Sequence, residues 1–400
     1  MIQGIFASNQ GIVGDRAGDF ASAILQINPT GTALILALSS GMGKASAQDT
    51  IFHWFEDSHQ AGRAATVSGG TTTTVVVDDG SQYVPNQILL VEETGEICMT
   101  TAIVGNSLTL IRGMAGTAIV SIDGTMHVQS VGNAHEEASP MPTAITQQGS
   151  PRFNYTQIFR NAWAISGTAK AIKFNSGSRL AKNKRDCAMY HAEDMERAMI
   201  WGRKHITSIN NKPFRMTDGI ISQIEQFGGL VEDVTDGTTA GNYSWLLFDD
   251  FMMRLFQNNV KGQPNERLAI GGNKWLAGLS QMTRLDGTYQ ISQGEDKLGI
   301  KVTSIENAFG TLKVMTHPLF NENPTFQQDL LLLHPGGIRR RILRDTFEEG
   351  YDENGKRIQA TDADQGVITT EFGVEVGGAS TMGILRGFNK AVASDPAQLP

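Results

Sequence analysis

GSRLAKNKRDCAMYHAEDMERAMIWGRKH, residues 177–205, contains no proline. Ala188, Ala192, Met195 and Met199 recur in it at i, i+4, i+7 and i+11, the stripe that one face of an α-helix presents to a core. Glu193 and Arg197 stand four apart with the acid first, the favourable order for an ion pair on a helix surface. At 1.5 Å per residue the helix is roughly 40 Å long. Ordinary globular helices average about 11–12 residues, so this one is expected to run the length of a whole subunit.

The chain on the C-terminal side, residues 216–345, reads as a compact α/β unit. Ser244–Val260 is helical, with Leu247, Phe251 and Leu255 on one face and Gly262 placed to end it. Arg267–Ile270 is a strand, Gly271-Gly272-Asn273 turns into a helix over Lys274–Gln281, and Ile300–Glu306 with Thr311–His317 flank a hairpin turn. Leu330–Leu333 is a buried strand. Thr346–Asp364 is polar and reads as a loop, Gly366–Val376 returns as a strand, and the last residues read as a tail.

On the N-terminal side the character changes twice. Residues 138–175 are extended, ending in the strand-like Trp163–Thr168 and Ala171–Phe174. Residues 66–135 hold short β-prone runs separated by turn signals: Thr66–Val77, Gln87–Glu92, Glu96–Val104, Ser107–Arg112, Ala118–Ile122 and Thr125–Val131, punctuated by Asp78-Asp79-Gly80, Thr94-Gly95, Gly105-Asn106 and Asp123-Gly124. That rhythm predicts a small β-barrel or sandwich inserted into the extended segment. Residues 1–50 read as an arm, with a short helix over Asp15–Ile27, an apolar piece over Thr32–Leu38, a flexible run at Ser39–Lys44, and then the β-prone Ile51–Phe55.

Four hundred residues with 40% hydrophobic content suffice for more than one core. The 33 basic and 41 acidic residues give a net charge of −8, against a dedicated nucleic-acid binder but compatible with a wall that encloses nucleic acid without gripping it. Cys98 and Cys187 form no motif, which fits a reducing cytoplasm. The N-terminus has no basic segment followed by a long apolar one, and the longest apolar run near it, Ala33–Leu38, is far short of the roughly 20 residues of a membrane span.

Catalytic and metal motifs fail on inspection. Leu38–Ala45 lacks the first glycine and the final Ser/Thr of a phosphate-binding loop, and is expected to be a flexible turn. His135-Glu136-Glu137 and His191-Ala192-Glu193 lack zinc spacing, and His191 and Glu193 are expected on a solvated or inter-subunit face. Gly278-Leu279-Ser280-Gln281-Met282 lacks the final glycine of a nucleophile elbow. No catalytic, cofactor or metal residues are assigned, and the chain reads as a non-enzyme. Arg339-Arg340-Arg341 with Arg344 is the sharpest basic cluster. An inter-subunit salt bridge is favoured over DNA contact, because Asp345, Glu348 and Glu349 follow it.

The order of these pieces, together with several segments, resembles the major capsid proteins of tailed double-stranded DNA bacteriophages, which have the Hong Kong 97-type fold. The resemblance is closest to the subfamily with a β-barrel inserted in the extended loop. Gly41–Asp57, with His53-Trp54-Phe55-Glu56-Asp57 at its end, resembles the junction from arm to loop. Asn154–Phe159 and Ile165–Thr168 resemble the return strand, Asp194–Ala198 the spine helix, and Arg215–Ile220 the crossing into the axial domain. Thr66–Gly70 departs from the acidic Glu-Gly that the subfamily often carries, and neither partner of a lysine–asparagine crosslink can be placed.

The resemblance implies an α+β Hong Kong 97-type capsid fold. Its parts would be an N-terminal arm (1–50), an extended loop (51–175) with the inserted barrel at about 66–135, a peripheral-domain spine helix (176–215), an axial domain (216–345), and a loop with a returning peripheral strand and tail (346–400). It implies assembly into hexamers and pentamers of an icosahedral head. The expected partners are further copies of the chain, a portal protein, scaffolding or decoration proteins, and packaged double-stranded DNA bound without sequence specificity, with no membrane. The short arm favours a separate scaffolding protein, or none. Inter-subunit contact candidates are Trp54, Glu56, Asp57, Arg63, Arg152, Arg339, Arg340, Arg341 and Arg344. The inserted barrel would take the place of a cementing protein. The competing readings are an encapsulin-like nanocompartment shell, a soluble α/β enzyme using Gly271-Gly272-Asn273, and a tail or decoration protein.

Overall fold

The computed structural model describes residues 43–57, 62–68, 72–124, 126–142, 149–172, 178–234, 241–260, 264–286, 292–297, 300–306, 309–349 and 362–393. The arm helix and the apolar piece expected before residue 43 lie outside them. The chain divides into two compact units, Phe55–Pro151, and Met1–Trp54 with Arg152–Pro400. The chain passes between them along a two-stranded ribbon of Ile51–Glu56 and Ser150–Tyr155.

The smaller unit is a closed six-stranded barrel. Its strands are Arg63–Ser68, Thr74–Val77, Gln87–Val91, Ile97–Val104, Ser107–Met114 and His127–Asn133. Val75, Leu89, Val91, Cys98, Leu108 and Val128 fill it without solvent exposure. Thr66–Val77, read as one run, is two strands. Ala118–Ile122 is not a ladder strand, although its residues are β-prone. Its Val120 amide is taken instead by a carboxylate oxygen of Glu96. A side chain has replaced the neighbouring strand as hydrogen-bond partner.

In the larger unit the long helix spans Arg179–Trp201, about 35 Å. Ser178 caps its start by accepting the Ala181 amide hydrogen, and the chain leaves it at Gly202. Met195 and Met199 are buried as the stripe predicts, but Ala188 is exposed and Cys187 and His191 face inward in its place. The inward face therefore steps by four through Cys187, His191, Met195 and Met199. Arg197 pairs with Glu193 at 3.5 Å.

This helix packs over a four-stranded sheet whose order is Gly43–Ser46, Ile338–Glu349, Ala363–Val376 and Gln157–Ser166. Four readings change here. Gly43–Ser46, part of the expected flexible turn, is a strand parallel to Arg339–Ile342. The strand after Ile338 continues to Glu349 through residues expected to be loop, because Phe347, Glu348 and Glu349 pair with Thr369, Ile368 and Val367. Gly167–Ala171 is a short helix capped by Ser166 rather than strand. The reading of Ala171–Phe174 as strand therefore fails at Ala171, and residues 173 and 174 are not described.

A seven-stranded sheet follows in the order Leu230–Asp233, Gly383–Arg386, Leu330–Leu333, Glu266–Gly271, Thr311–Thr316, Ile300–Glu306 and Ser292–Lys297. The helix Trp245–Phe256 covers it with Leu247, Phe248, Phe251, Met252 and Leu255; burying each such side chain stabilises by about 1.5–3 kcal/mol. The helix ends before Gly262, with Gln257 as its C-cap. The segment expected to be a tail contributes Gly383–Arg386 to the interior of this sheet, between two partners.

Candidate contact site

The arginine strand Ile338–Glu349 lies antiparallel to Ala363–Val376, in a register that sets Arg339 opposite Glu375 and Arg344 opposite Glu371. Both glutamates are buried, at 4% exposure. Arg341 Nε donates to Glu375 Oε2, and Arg339 Nη1 stands 3.5 Å from Glu375 Oε1. Arg344 Nε donates to Glu371 Oε2 at 2.7 Å, and the Thr156 hydroxyl donates to the other oxygen of Glu371 at 3.0 Å. A buried carboxylate is stable only when paired and hydrogen-bonded, and these arginines meet that need within the subunit.

Arg340 points the other way and is half-buried. Burial lowers its pKa, while the charges of Asp345 and Glu196 raise it. Two of the three acids thought to answer the cluster are otherwise engaged. Glu348 accepts from the Trp163 indole and from Lys184, and Glu349 pairs with Arg160 at 3.2 Å. Three arginines against two buried glutamates leave a ledge of positive charge, on which the side chains of Arg339 and Arg344 remain about half-exposed. That ledge can meet an acidic side chain or a phosphate.

Glu371 and Glu375 were not singled out in the sequence. The signal was there: in TEFGVEV they sit four apart, on one face of a strand.

The other candidates do not join this ledge. Trp54 is buried, edge-on to Phe227 at 6.2 Å, and the Arg152 guanidinium stacks 4.5 Å from the same Phe227 ring. Asp57 is exposed and Glu56 is half-buried. Arg63 belongs to the barrel, where Nε and Nη2 grip the two oxygens of Glu92 at 2.6 and 2.8 Å.

Other motif and cluster residues are also placed. His191 is buried at 2% exposure, and its ring nitrogens bond Asn161 at 2.7 Å and Thr370 at 2.8 Å. It is a core residue and lies on no solvated face. Glu92, Glu93 and His127 approach within 4.8 Å of one another, but Glu92 is held by Arg63 and Glu93 by the His127 ring and amide. Gly278 serves packing, since a Cβ there would lie 2.2 Å from the Phe388 ring.

A family described as SU10 major capsid protein matches residues 5–389. The major capsid protein of Pseudomonas phage PaMx41 is 26% identical over 390 residues, covering 93% of this chain and 92% of that one. Among solved structures, the capsid of a native GTA particle aligns at TM-score 0.49 with 10% identity, over 96% of this chain and all of the other. One from Mycobacterium phage Bobi aligns at TM-score 0.48 with 7% identity, over 98% of this chain and all of the other. At these TM-scores the two structures carry no argument, and the assignment rests on the sequence match.

Proposed function

Since the chain belongs to the SU10 major capsid protein family, we propose that it assembles into hexamers and pentamers of an icosahedral phage head that encloses double-stranded DNA. As a phage major capsid protein it is a structural shell subunit and a component of the virion. The family match over residues 5–389 carries the reading. It also answers the competing readings, because an encapsulin-like shell, a tail protein or a soluble enzyme would not be expected to match this family along nearly its whole length.

The finer assignments are ours. The long helix is the spine strut, the seven-stranded sheet with its helices is the axial domain, and the barrel is an insertion in the extended loop. Arg339 and Arg344 supply charge for a contact with a neighbouring subunit, with Asp57 and Arg63 at the loop as further contacts. Trp54, Glu56, Arg152, Arg340 and Arg341 support those contacts from within. A portal protein and scaffolding or decoration proteins complete the head, which forms in the host cytoplasm. DNA is enclosed without sequence-specific binding, consistent with a net charge of −8.

Negative-stain electron microscopy of the chain expressed alone and with candidate scaffold genes tests this. Icosahedral shells, or rings of five and six subunits, are expected. A uniform monomer or dimer under both conditions would overturn it.

A further inference from the structure

Three neighbouring strands of the seven-stranded sheet meet at one end of it, close to the end of the long helix. Asp233 ends Leu230–Asp233, Arg386 ends Gly383–Arg386, and Asp329 immediately precedes Leu330–Leu333. Asp233 is opposite Arg386, and Leu330 is opposite Leu385 in the antiparallel pair. The row across the three strands is therefore Asp233, Arg386, Asp329. Between this row and Trp201, the last residue of the long helix, lies a cavity of about 420 Å³, the size of a small-molecule site.

One wall of the cavity is apolar. Trp201 and Phe326 form it, stacked with their ring centroids 4.9 Å apart. The frame around Asp329 is fixed by the backbone. The Asp329 amide donates to the Phe326 carbonyl at 3.0 Å, and the Phe388 amide to the Gln328 carbonyl at 3.0 Å. The Gly387 amide donates to Asp329 Oδ1 at 3.3 Å. The second oxygen of Asp329 has no hydrogen-bond partner among the described residues.

Two arginines also line the cavity, and both turn to Glu225. Arg386 Nη2 donates to Glu225 Oε1, and Arg203 Nη2 to Oε2 at 2.9 Å. Arg203 Nη1 donates to Ser222 Oγ at 3.2 Å. Burial works to raise the pKa of Glu225, but the two arginines outweigh it and hold the group low. Asp329 is not served in this way. Burial pushes its pKa up to about 6 and the Asp233 charge adds to this, against the Gly387 amide and Arg386. Two arginines against Glu225, Asp233 and Asp329 leave one negative charge over. A half-buried carboxylate in that position is completed by a cation. The stacked rings favour an organic one, whose methylenes gain by leaving water; a magnesium ion keeps most of its water and asks for a full shell of oxygen ligands.

We propose that this cavity is a binding site for a small alkyl diamine, with an ammonium on the Asp329 carboxylate, the methylenes along Trp201 and Phe326, and Asp233 adding its charge to the attraction. The site lies wholly within the larger unit, so it is complete in a single chain. It goes beyond the shell reading and does not depend on it. The geometry is preformed, because Asp329 is positioned by the backbone whether or not a ligand is bound. Filling the site satisfies the open carboxylate oxygen and removes apolar ring surface from water, so the bound chain is the more stable one.

The test is calorimetric titration of the full, unassembled chain with 1,4-diaminobutane at pH 7.5 and constant ionic strength, in wild type and Asp329→Asn. Circular dichroism serves as the check on folding. Expected is saturable binding of one diamine per chain, weakened at least tenfold in the variant, with magnesium chloride binding at least tenfold more weakly than the diamine. Absence of saturation overturns the proposal, as does a folded variant that binds like wild type. Magnesium bound as tightly as the diamine overturns it too, since the rings would then play no part. Saturable binding of inorganic phosphate in place of the diamine would show that the arginines choose the ligand, and also overturns it. Should Asp329→Asn misfold, carbodiimide coupling of 1,4-diaminobutane to wild type, mapped by mass spectrometry, decides. Preferential coupling at Asp329 or Asp233 upholds the site, and coupling spread evenly over the exposed carboxylates overturns it. Because the chain is tested unassembled, failure here leaves the shell reading standing.

Discussion

Glu196 and His317 meet where neither side chain has any solvent exposure, with Nε2 of the imidazole 2.7 Å from Oε1 of the carboxylate. The other ring nitrogen of His317 accepts the Leu319 amide hydrogen at 3.1 Å. It therefore carries no hydrogen, and the ring donates through Nε2. Glu196 also acts on Arg340, whose guanidinium feels its charge. The long helix, the segment after Thr316 and the arginine strand are thereby joined at one buried point.

Glu196→Ala would strand the His317 N–H and remove a counter-charge of Arg340. Breaking one side of a buried charged network costs about 3 kcal/mol. Glu196→Gln keeps an acceptor for His317 and should cost less. Urea unfolding of the unassembled chain measures both; an Ala variant with the wild-type midpoint would show that the network contributes nothing.

In the barrel, burial works to raise the pKa of Glu96, but Arg112 and the amides of Val120 and Gly113 outweigh it and hold the group at about 2. A carboxylate depressed in the folded state gives stability that is full above its ordinary value of 4.5 and is lost as pH falls towards about 2. The lost amount is about 3 kcal/mol. Thermal melts from pH 6 to pH 2.5 should show the barrel weakening in that window in wild type and less steeply in Glu96→Gln. Parallel curves would contradict the assignment.

This pair also shows why one barrel strand was misread. Ala118–Ile122 has β-prone residues, and nothing local reveals that Glu96 and Arg112 take up its backbone: the Val120 amide goes to Glu96 and the Val120 carbonyl to Arg112. The true strands were legible because their ends carry their own turns, with Gly95 and Gly105 at φ 70° and 60°. The Met195–Met199 half of the helix stripe was legible for the same reason, periodicity being local. Its other half was not, because His191 is inward only by virtue of Asn161 and Thr370, far away in sequence. Gly383–Arg386 and Phe347–Glu349 became strands through long-range partners. In the contact site the arginines announced themselves by charge, while Glu371 and Glu375 were hidden in a strand that reads as core.

His334 is 2% exposed, and neither ring nitrogen has a hydrogen-bond partner among the described residues. Burial and the neighbouring Arg267 charge lower its pKa from 6.5. The unfolded chain therefore takes up a proton first, and wild-type stability should decline as pH falls below 6.5. His334→Phe removes two unsatisfied polar atoms from the interior and keeps an aromatic ring. It should stabilise the chain by about 1–2 kcal/mol and flatten the dependence between pH 7 and pH 5. A destabilised variant at pH 7 would mean that the nitrogens have partners in solution.

The barrel offers the most direct test of how the chain is divided. Its core is a cluster of its own, and its lead-in and exit strands run side by side, with Gly149 against the Glu56 carbonyl. A cut near residue 66 would leave part of Arg63–Ser68 behind as an unpaired, apolar-faced strand, prone to aggregation. Replacing residues 58–148 with a short Gly-Ser linker avoids that. If the barrel is an inserted unit, the shortened chain should fold with a melting transition close to that of the larger unit in wild type. If the barrel also cements the head, particles should still form but release their DNA at a lower temperature. An insoluble product would show that the larger unit needs the barrel to fold, and undiminished heat resistance would remove the cementing role while leaving the division intact.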